Sequence, residues 1–412
     1  MAAAGCDGSQ PSARVGFPVE GPTTTLRVAL TDFRWPLDPA LASTRDETTL
    51  ARALYATPLR TDPSGGVVPG LCSGWKAFDA FRMWRFTCKN ALEIAAELRR
   101  VARLQMSPAN WIFAAAQKVS VPAPGVLVVR LRFPWRRFPY ALTTVAAAPR
   151  GVQGPFRLVR GSRNRVLLSG NGVSLVFRRL NGFAALRALG RGQLDEAPVP
   201  LGDVGRFRAD PATLRVRSLL ALDVVVFRRH VPRKVRRTYW QTANRADYQA
   251  LVAQDEAAAA YGIVGTSTKA DPAAFRRAVK SIPSLPLLAV RIVVPPDSTL
   301  QYGGRLLYAQ WRELGLGPQL VPGGRPAEAG FRRVAAVYPQ QEALLGPLGL
   351  ATALGAEDQR DAFEHVDENV RRAATVIPIC WVADARWVSP RLRGWNEDVL
   401  GDVDYTGVTV TG

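Results

Sequence analysis

The passage over residues 219–248 constrains this chain more than any other stretch. Residues 219–227 form an apolar run, Leu-Leu-Ala-Leu-Asp-Val-Val-Val-Phe, broken only by Asp223, which is the pattern of a buried strand. Pro232 follows, a residue suited to opening a helix. Val235, Tyr239 and Thr242 then fall at i, i+4 and i+7, with Arg233, Lys234, Arg236 and Arg237 mostly off that line. The spacing predicts one basic amphipathic helix over 233–248. A chain that leaves a buried strand for a helix in this way is leaving one lobe and starting another.

At 412 residues the chain can build two or more lobes with cores of their own, and an apolar content of 47% excludes disorder throughout. No apolar run approaches the roughly 18 residues of a membrane-spanning helix. The net charge is +20, and only six of the 54 basic residues are Lys. The arginines are spread along the whole chain rather than gathered in one arm. A solvated basic surface is therefore the reading adopted, ahead of attraction to anionic membranes and ahead of nucleic acid. With four Cys, none in a CxxC pair, and two His, no metal site is expected.

Catalytic signatures are missing as well. There is no G-x-S-x-G elbow and no H-E-x-x-H, and the glycine- and threonine-rich stretch 262–269 lacks the Gly-Lys-Ser/Thr core of a phosphate loop. His365 has no second ligand at i+4. The chain is not expected to be an enzyme or to hold a cofactor.

Motifs along the chain fall in a recognisable order. Leu54, Tyr55, Leu59, Asp62, Gly66, Pro69, Gly70, Leu71, Trp75, Trp84 and Phe86 form an opening block. Val235, Arg236, Ala243 and Arg245 mark the basic helix, and Ile377, Pro378, Ser389, Pro390, Gly394 and Trp395 close the series. Together these resemble the family 5 extracytoplasmic solute-binding proteins, the oligopeptide-, dipeptide- and nickel-binding proteins of ABC importers, over roughly residues 25–412. The resemblance implies an α/β fold of the two-lobed periplasmic-binding-protein type (class II-like), with a reduced accessory subdomain and a ligand cleft between the lobes. It implies a small-molecule or peptide ligand, permease subunits of an ABC importer as partners, no nucleic acid, and a monomer outside the cytoplasmic membrane or in the periplasm. A nucleic-acid binder and a degenerate surface scaffold or sensor are the alternatives.

The corresponding domain map has a tether over 1–24, lobe I from 25–45, 151–229 and 376–412, an accessory subdomain over 46–150, and lobe II over 230–375. In the accessory part, 91–104 reads as a helix with Leu92, Ala95, Leu98 and Ala102 as its stripe. In lobe II, 246–261 reads as helical. Residues 1–6 resemble the end of a bacterial lipoprotein signal, with Cys6 as the lipidated residue and anchor, although the charged and apolar regions that precede such a cysteine are absent.

Residues 69–75 and 83–88 read as hairpin strands. Pairing 78 with 83 puts position 73 opposite 88, so a bulge would bring Cys72 within disulfide reach of Cys88, and an exported protein would permit the bond. Two small buried thiols are the other reading.

The resemblance places ligand contacts at Phe33 and Trp35, at Tyr338 with Gln340, and at Trp381. Tyr338, flanked by Pro-Gln-Gln, reads as an exposed loop residue. Peptide-binding members carry an acid before this tyrosine; here it is Val337, which argues against an ordinary free-amino peptide.

Overall fold

The computed structural model describes residues 24–411 except 63, 209–212, 265–269, 285–288 and 356–358. Cys6 and the expected tether, apart from its last residue, lie outside the described residues. Ten strands form one mixed sheet, in the order Pro318–Val321, Val290–Val293, Ala329–Ala335, Leu214–Phe227, Val376–Val388, Glu196–Pro198, Thr24–Leu30, Val173–Arg179, Arg165–Gly170 and Arg157–Gly161. The strands Leu214–Phe227 and Val376–Val388 are 14 and 13 residues long and pair antiparallel, from Leu214 opposite Trp387 to Val226 opposite Val376. These two crossing strands lie side by side in the middle of the sheet, fourth and fifth of its ten.

Bulges interrupt this ladder between Leu219 and Leu222 and again between Asp223 and Val224. Pro378, which has no N–H to give, sits at the second irregularity, where a strand tolerates proline. Alternation sorts the faces of Leu214–Phe227. Leu222 and Val224 enter one apolar core, and Val225 and Phe227 enter another.

The basic helix is real but shorter than its pattern. It spans Arg233–Thr242, with Val235, Tyr239 and Thr242 buried as the spacing requires. Asn244 then caps a second helix, Arg245–Leu251, by accepting from the Asp247 N–H at 3.2 Å. A side chain that competes for backbone donors ends the first helix at Thr242, six residues short of the pattern, and starts another. Helical structure stops at Leu251, not Tyr261, because Gln254 and Asp255 take φ of 52° and 58°. The alanine run is then used as extended chain: Ala259 bridges to Cys380.

In the accessory part, four strands in the order Cys72–Phe78, Met83–Cys88, Val126–Leu131 and Ala116–Ala123 pack on helix Ala91–Arg103. That helix buries Ile94, Ala95, Leu98 and Val101, while Leu92 is exposed, so its stripe lies one residue round from the sequence reading. A bulge between Cys72 and Gly74 sets Cys72 directly opposite Cys88, and their sulfurs are bonded. Asn171 and Gly172, with φ of 52° and 71°, close the hairpin between Arg165–Gly170 and Val173–Arg179 as a two-residue turn requires.

One large apolar core joins the accessory part to lobe II. It includes Phe86, Leu98, Trp135 and Phe138 from the first, and Ile263, Val334, Tyr338, Leu344 and Val370 from the second.

Candidate functional site

The bulges beside Asp223 shape the site. Asp223 is the one acid in an apolar strand, and it is 2% exposed, so its charge has to be matched. Its register partner across the ladder is Arg333. Arg333 donates from Nε to Asp223 Oδ1 at 2.9 Å and from NH2 to Oδ2 at 3.2 Å. The Tyr248 hydroxyl, delivered by helix Arg245–Leu251, donates to Oδ2 at 2.8 Å. Burial, then the neighbouring Asp223, holds the Tyr248 phenol well above its ordinary range. Burial alone would lower the Arg333 guanidinium; Asp223 more than offsets this, and Arg333 stays a fixed cation. Cys380, opposite Asp223, is buried, and burial followed by Asp223 pushes its thiol up to about 12.

This cluster borders a cavity of about 340 Å³. Thr31, Gly182 and residues 198–201 line it from lobe I. Residues 381–385 of the crossing strand, beginning with half-buried Trp381, form its wall, and Tyr248, Asp297, Thr299 and Arg333 close it from lobe II. The acids here are committed. Asp384 pairs with Arg45 at 2.6 Å and lies 3.4 Å from Arg386, and Asp297 caps helix Ser298–Glu313 through the Leu300 N–H at 2.9 Å. Arg333 is not fully committed: its side chain is 34% exposed, and NH1 donates to no described residue. The cleft therefore offers one pinned guanidinium edge and one aromatic wall.

The strand Val376–Val388 also carries a buried ionic network. Arg386, 1% exposed, pairs with Glu196 and lies 3.4 Å from Asp46. Glu196 also accepts from Trp395 Nε1 at 2.8 Å and the Tyr405 hydroxyl at 2.9 Å. Arg45 reaches from helix Arg45–Leu54 to Asp384 and Glu397. These bonds fix the lobe I side of the crossing strands.

The five residues expected at the ligand separate into three places. Trp381 lines the cleft. Phe33, 2% exposed, belongs to the lobe I core, and Trp35 is half-buried against Gly161 there. Tyr338 is not on an exposed loop: it is fully buried, 6.3 Å from the Trp111 ring and 6.4 Å from the Trp135 ring. Its Pro-Gln-Gln flank folds back as a turn, Gln341–Leu344, which seals it under the accessory part. Gln340 accepts from Arg137 NH1 at 2.9 Å in the same seam. What the sequence reading missed is Asp223, Arg333 and Tyr248. The signal was present in Asp223, since an acid inside an apolar strand demands a buried cationic partner.

Among the described residues no group of three or more His, Cys, Asp or Glu could hold a metal, and no helix is long and apolar enough to cross a membrane. No protein-family profile matches the chain, and no curated protein matches it by sequence. Solved structures do match. The murein tripeptide binding protein MppA of Escherichia coli aligns at a TM-score of 0.80 and 15% identity, over 96% of this chain and 100% of its own. OppA of Haemophilus influenzae, solved with the peptide RPPGFSPFR, aligns at 0.80 and 13%, over 95% and 100%. NikZ of Campylobacter jejuni, solved with Ni(L-His), aligns at 0.76 and 13%, over 94% and 100%. The chain has the two-lobed α/β fold of these binding proteins.

Proposed function

We propose that this chain is an extracytoplasmic solute-binding receptor that takes a small solute in the cleft between its lobes and presents it to the permease of an ABC importer. The observation that carries this reading is the cleft at the two crossing strands, with Arg333 held in place by Asp223 and Tyr248 and left with a free edge. A cavity of about 340 Å³ is at the small end for a ligand pocket, so the solute is compact. A pinned guanidinium beside an aromatic wall favours a carboxylate or similar anionic group on a body that packs on Trp381. The solved peptide and nickel-chelate complexes of the same fold support a binding role rather than catalysis.

The lobes of this receptor are 25–45, 151–229 and 376–412 against 230–375, with 46–150 as the accessory part. It works as a monomer on the outer face of the cytoplasmic membrane or in the periplasm, held by a lipid on Cys6.

A thermal-shift screen of amino acids, short peptides, sugars, opines and metal chelates tests the role. A ligand at a hundredfold excess over Kd adds about 2.7 kcal/mol. For an anionic hit, Arg333→Met should weaken binding at least tenfold, about 1.4 kcal/mol. Saturable, tight nucleic-acid binding at moderate salt with no small-molecule hit would overturn the reading. A second reading, a scaffold that no longer binds solute, is favoured by one observation: aromatic side chains of the chain itself fill the seam at Tyr338. An empty screen with no nucleic-acid binding selects it.

A further inference from the structure

Another cavity, of about 510 Å³, shares no lining residue with the cleft. Arg237, Arg245, Arg277 and Arg371 line it, together with the rings of Trp240 and Phe275. They come from four helices: Arg233–Thr242, Arg245–Leu251, Pro272–Ser281 and Gln359–Ala373. Among the described residues the lining includes one acid, Asp271, and it is spent: Oδ1 accepts from the Ala274 N–H at 2.9 Å to cap a helix, and Oδ2 lies 3.7 Å from Arg277.

Arg245 makes this more than a basic surface. It is 3% exposed, and no carboxylate pairs with it among the described residues. Nε donates to the carbonyls of Ala260 and Pro378 at 2.9 and 2.8 Å, and NH1 donates to those of Trp240 and Ala243 at 3.1 and 3.2 Å. The guanidinium lies 4.6 Å from the Trp240 ring and 4.9 Å from the Tyr261 ring. NH2 has no hydrogen-bond partner among the described residues. Carbonyl dipoles and ring faces stabilise a buried cation only in part, and burial pulls this guanidinium down to about 10. A cation in the wall of a cavity, without a counter-ion among the described residues and flanked by three more arginines, concentrates positive potential inside that cavity.

We infer that this cavity binds the phosphate group of a small organic phosphate, whose body packs on Trp240 and Phe275. Phosphate suits the arrangement better than carboxylate. It carries close to two charges and three outward oxygens, matching several guanidinium forks that converge from different helices. The same chemistry occurs in a soluble phosphate ester and in an anionic phospholipid headgroup, and the experiment separates the two.

The full chain is titrated calorimetrically with phenyl phosphate and with inorganic pyrophosphate at fixed ionic strength, with chloride as the control. Phenyl phosphate should saturate one site. In Arg277→Ala/Arg371→Ala, two exposed positions whose loss should leave the ligand-free melting temperature unchanged, Kd should rise at least tenfold. Arg333→Met, in the cleft, should leave this binding unaltered, so failure here and failure of the solute-receptor reading are distinguishable. Co-sedimentation with phosphatidic acid vesicles but not phosphatidylcholine vesicles, abolished in the double variant, would assign the phosphate to a headgroup; ester binding without co-sedimentation would assign it to a soluble ester. Non-saturable binding of phenyl phosphate, equal binding by the double variant, or loss of binding in Arg333→Met protein that keeps a cooperative melting transition would each overturn the inference.

Discussion

Asp223 shows how a single residue can disclose a site. Among nine residues from Leu219 to Phe227 it is the one ionisable side chain, and its position in an apolar strand was visible in the sequence. Its partners were not visible, because Arg333 lies 110 residues away and Tyr248 was absorbed into a helix pattern. Asp223→Asn should destabilise the protein by roughly 2–3 kcal/mol, below the usual cost of breaking a buried pair because Arg333 keeps some contact with water. Urea denaturation reads this, and a change of under about 0.5 kcal/mol would contradict the assigned role. Glu397 makes a second residue-level case. It is 2% exposed, and burial pushes its carboxyl up to about 8 although Arg45 opposes the shift. In the unfolded chain it titrates near 4.5. Between those values the folded state binds more protons, so this residue's contribution is present below about pH 4.5, declines as pH rises and is lost above about pH 8. Glu397→Gln should flatten that decline; urea midpoints of both proteins at about pH 5 and about pH 8 make the comparison, and parallel behaviour would count against it.

At the scale of elements, periodicity located strands and helices well and their ends poorly. The stripe Val235, Tyr239 and Thr242 was legible because burial enforces it, whereas the break at Asn244 depends on one side chain capturing a backbone donor. The seam at Tyr338 was illegible for a different reason. Pro-Gln-Gln looks like an exposed turn, and nothing local reveals that Trp111 and Trp135, over 200 residues earlier, cover it. Tyr338→Ala should therefore lower stability by about 3–5 kcal/mol, the cost of emptying a fully buried aromatic site. A melting temperature within a degree or two of the wild type would show that the seam does not hold the ring. The bond between Cys72 and Cys88 acts on a smaller unit, closing a sequence separation of 16. Its removal by Cys72→Ser/Cys88→Ser should cost about 3 kcal/mol in the chain-entropy model, read from the same denaturation curves.

For the whole molecule, the two-lobed plan was legible because ordered motifs survive where overall identity does not, but the way the parts share a core was not. Lobe II has strands Val290–Val293, Pro318–Val321 and Ala329–Ala335, and the last pairs through seven positions with Ala221–Phe227, which lies outside 230–375. Its apolar face is shared as well: Val334, Tyr338, Leu344 and Val370 pack in one cluster with Phe86, Leu98, Trp135 and Phe138 of the accessory part. A fragment of residues 230–375 would thus expose a strand edge and its own share of that cluster to water, and neither can be satisfied internally. Such a fragment should lack a cooperative thermal transition, keeping helical far-ultraviolet ellipticity from its amphipathic helices without near-ultraviolet signal from Trp240 and Trp311. Adding both crossing strands alone, as 214–388, should restore the sheet edge but leave the Tyr338 face open, so it should associate or remain molten. Cooperative folding should return only when 46–150 is supplied, in the intact chain or as a co-expressed partner. A sharp, monomeric melt from 230–375 by itself would show that lobe II closes its own core, and the shared cluster would then be a docking contact between finished units.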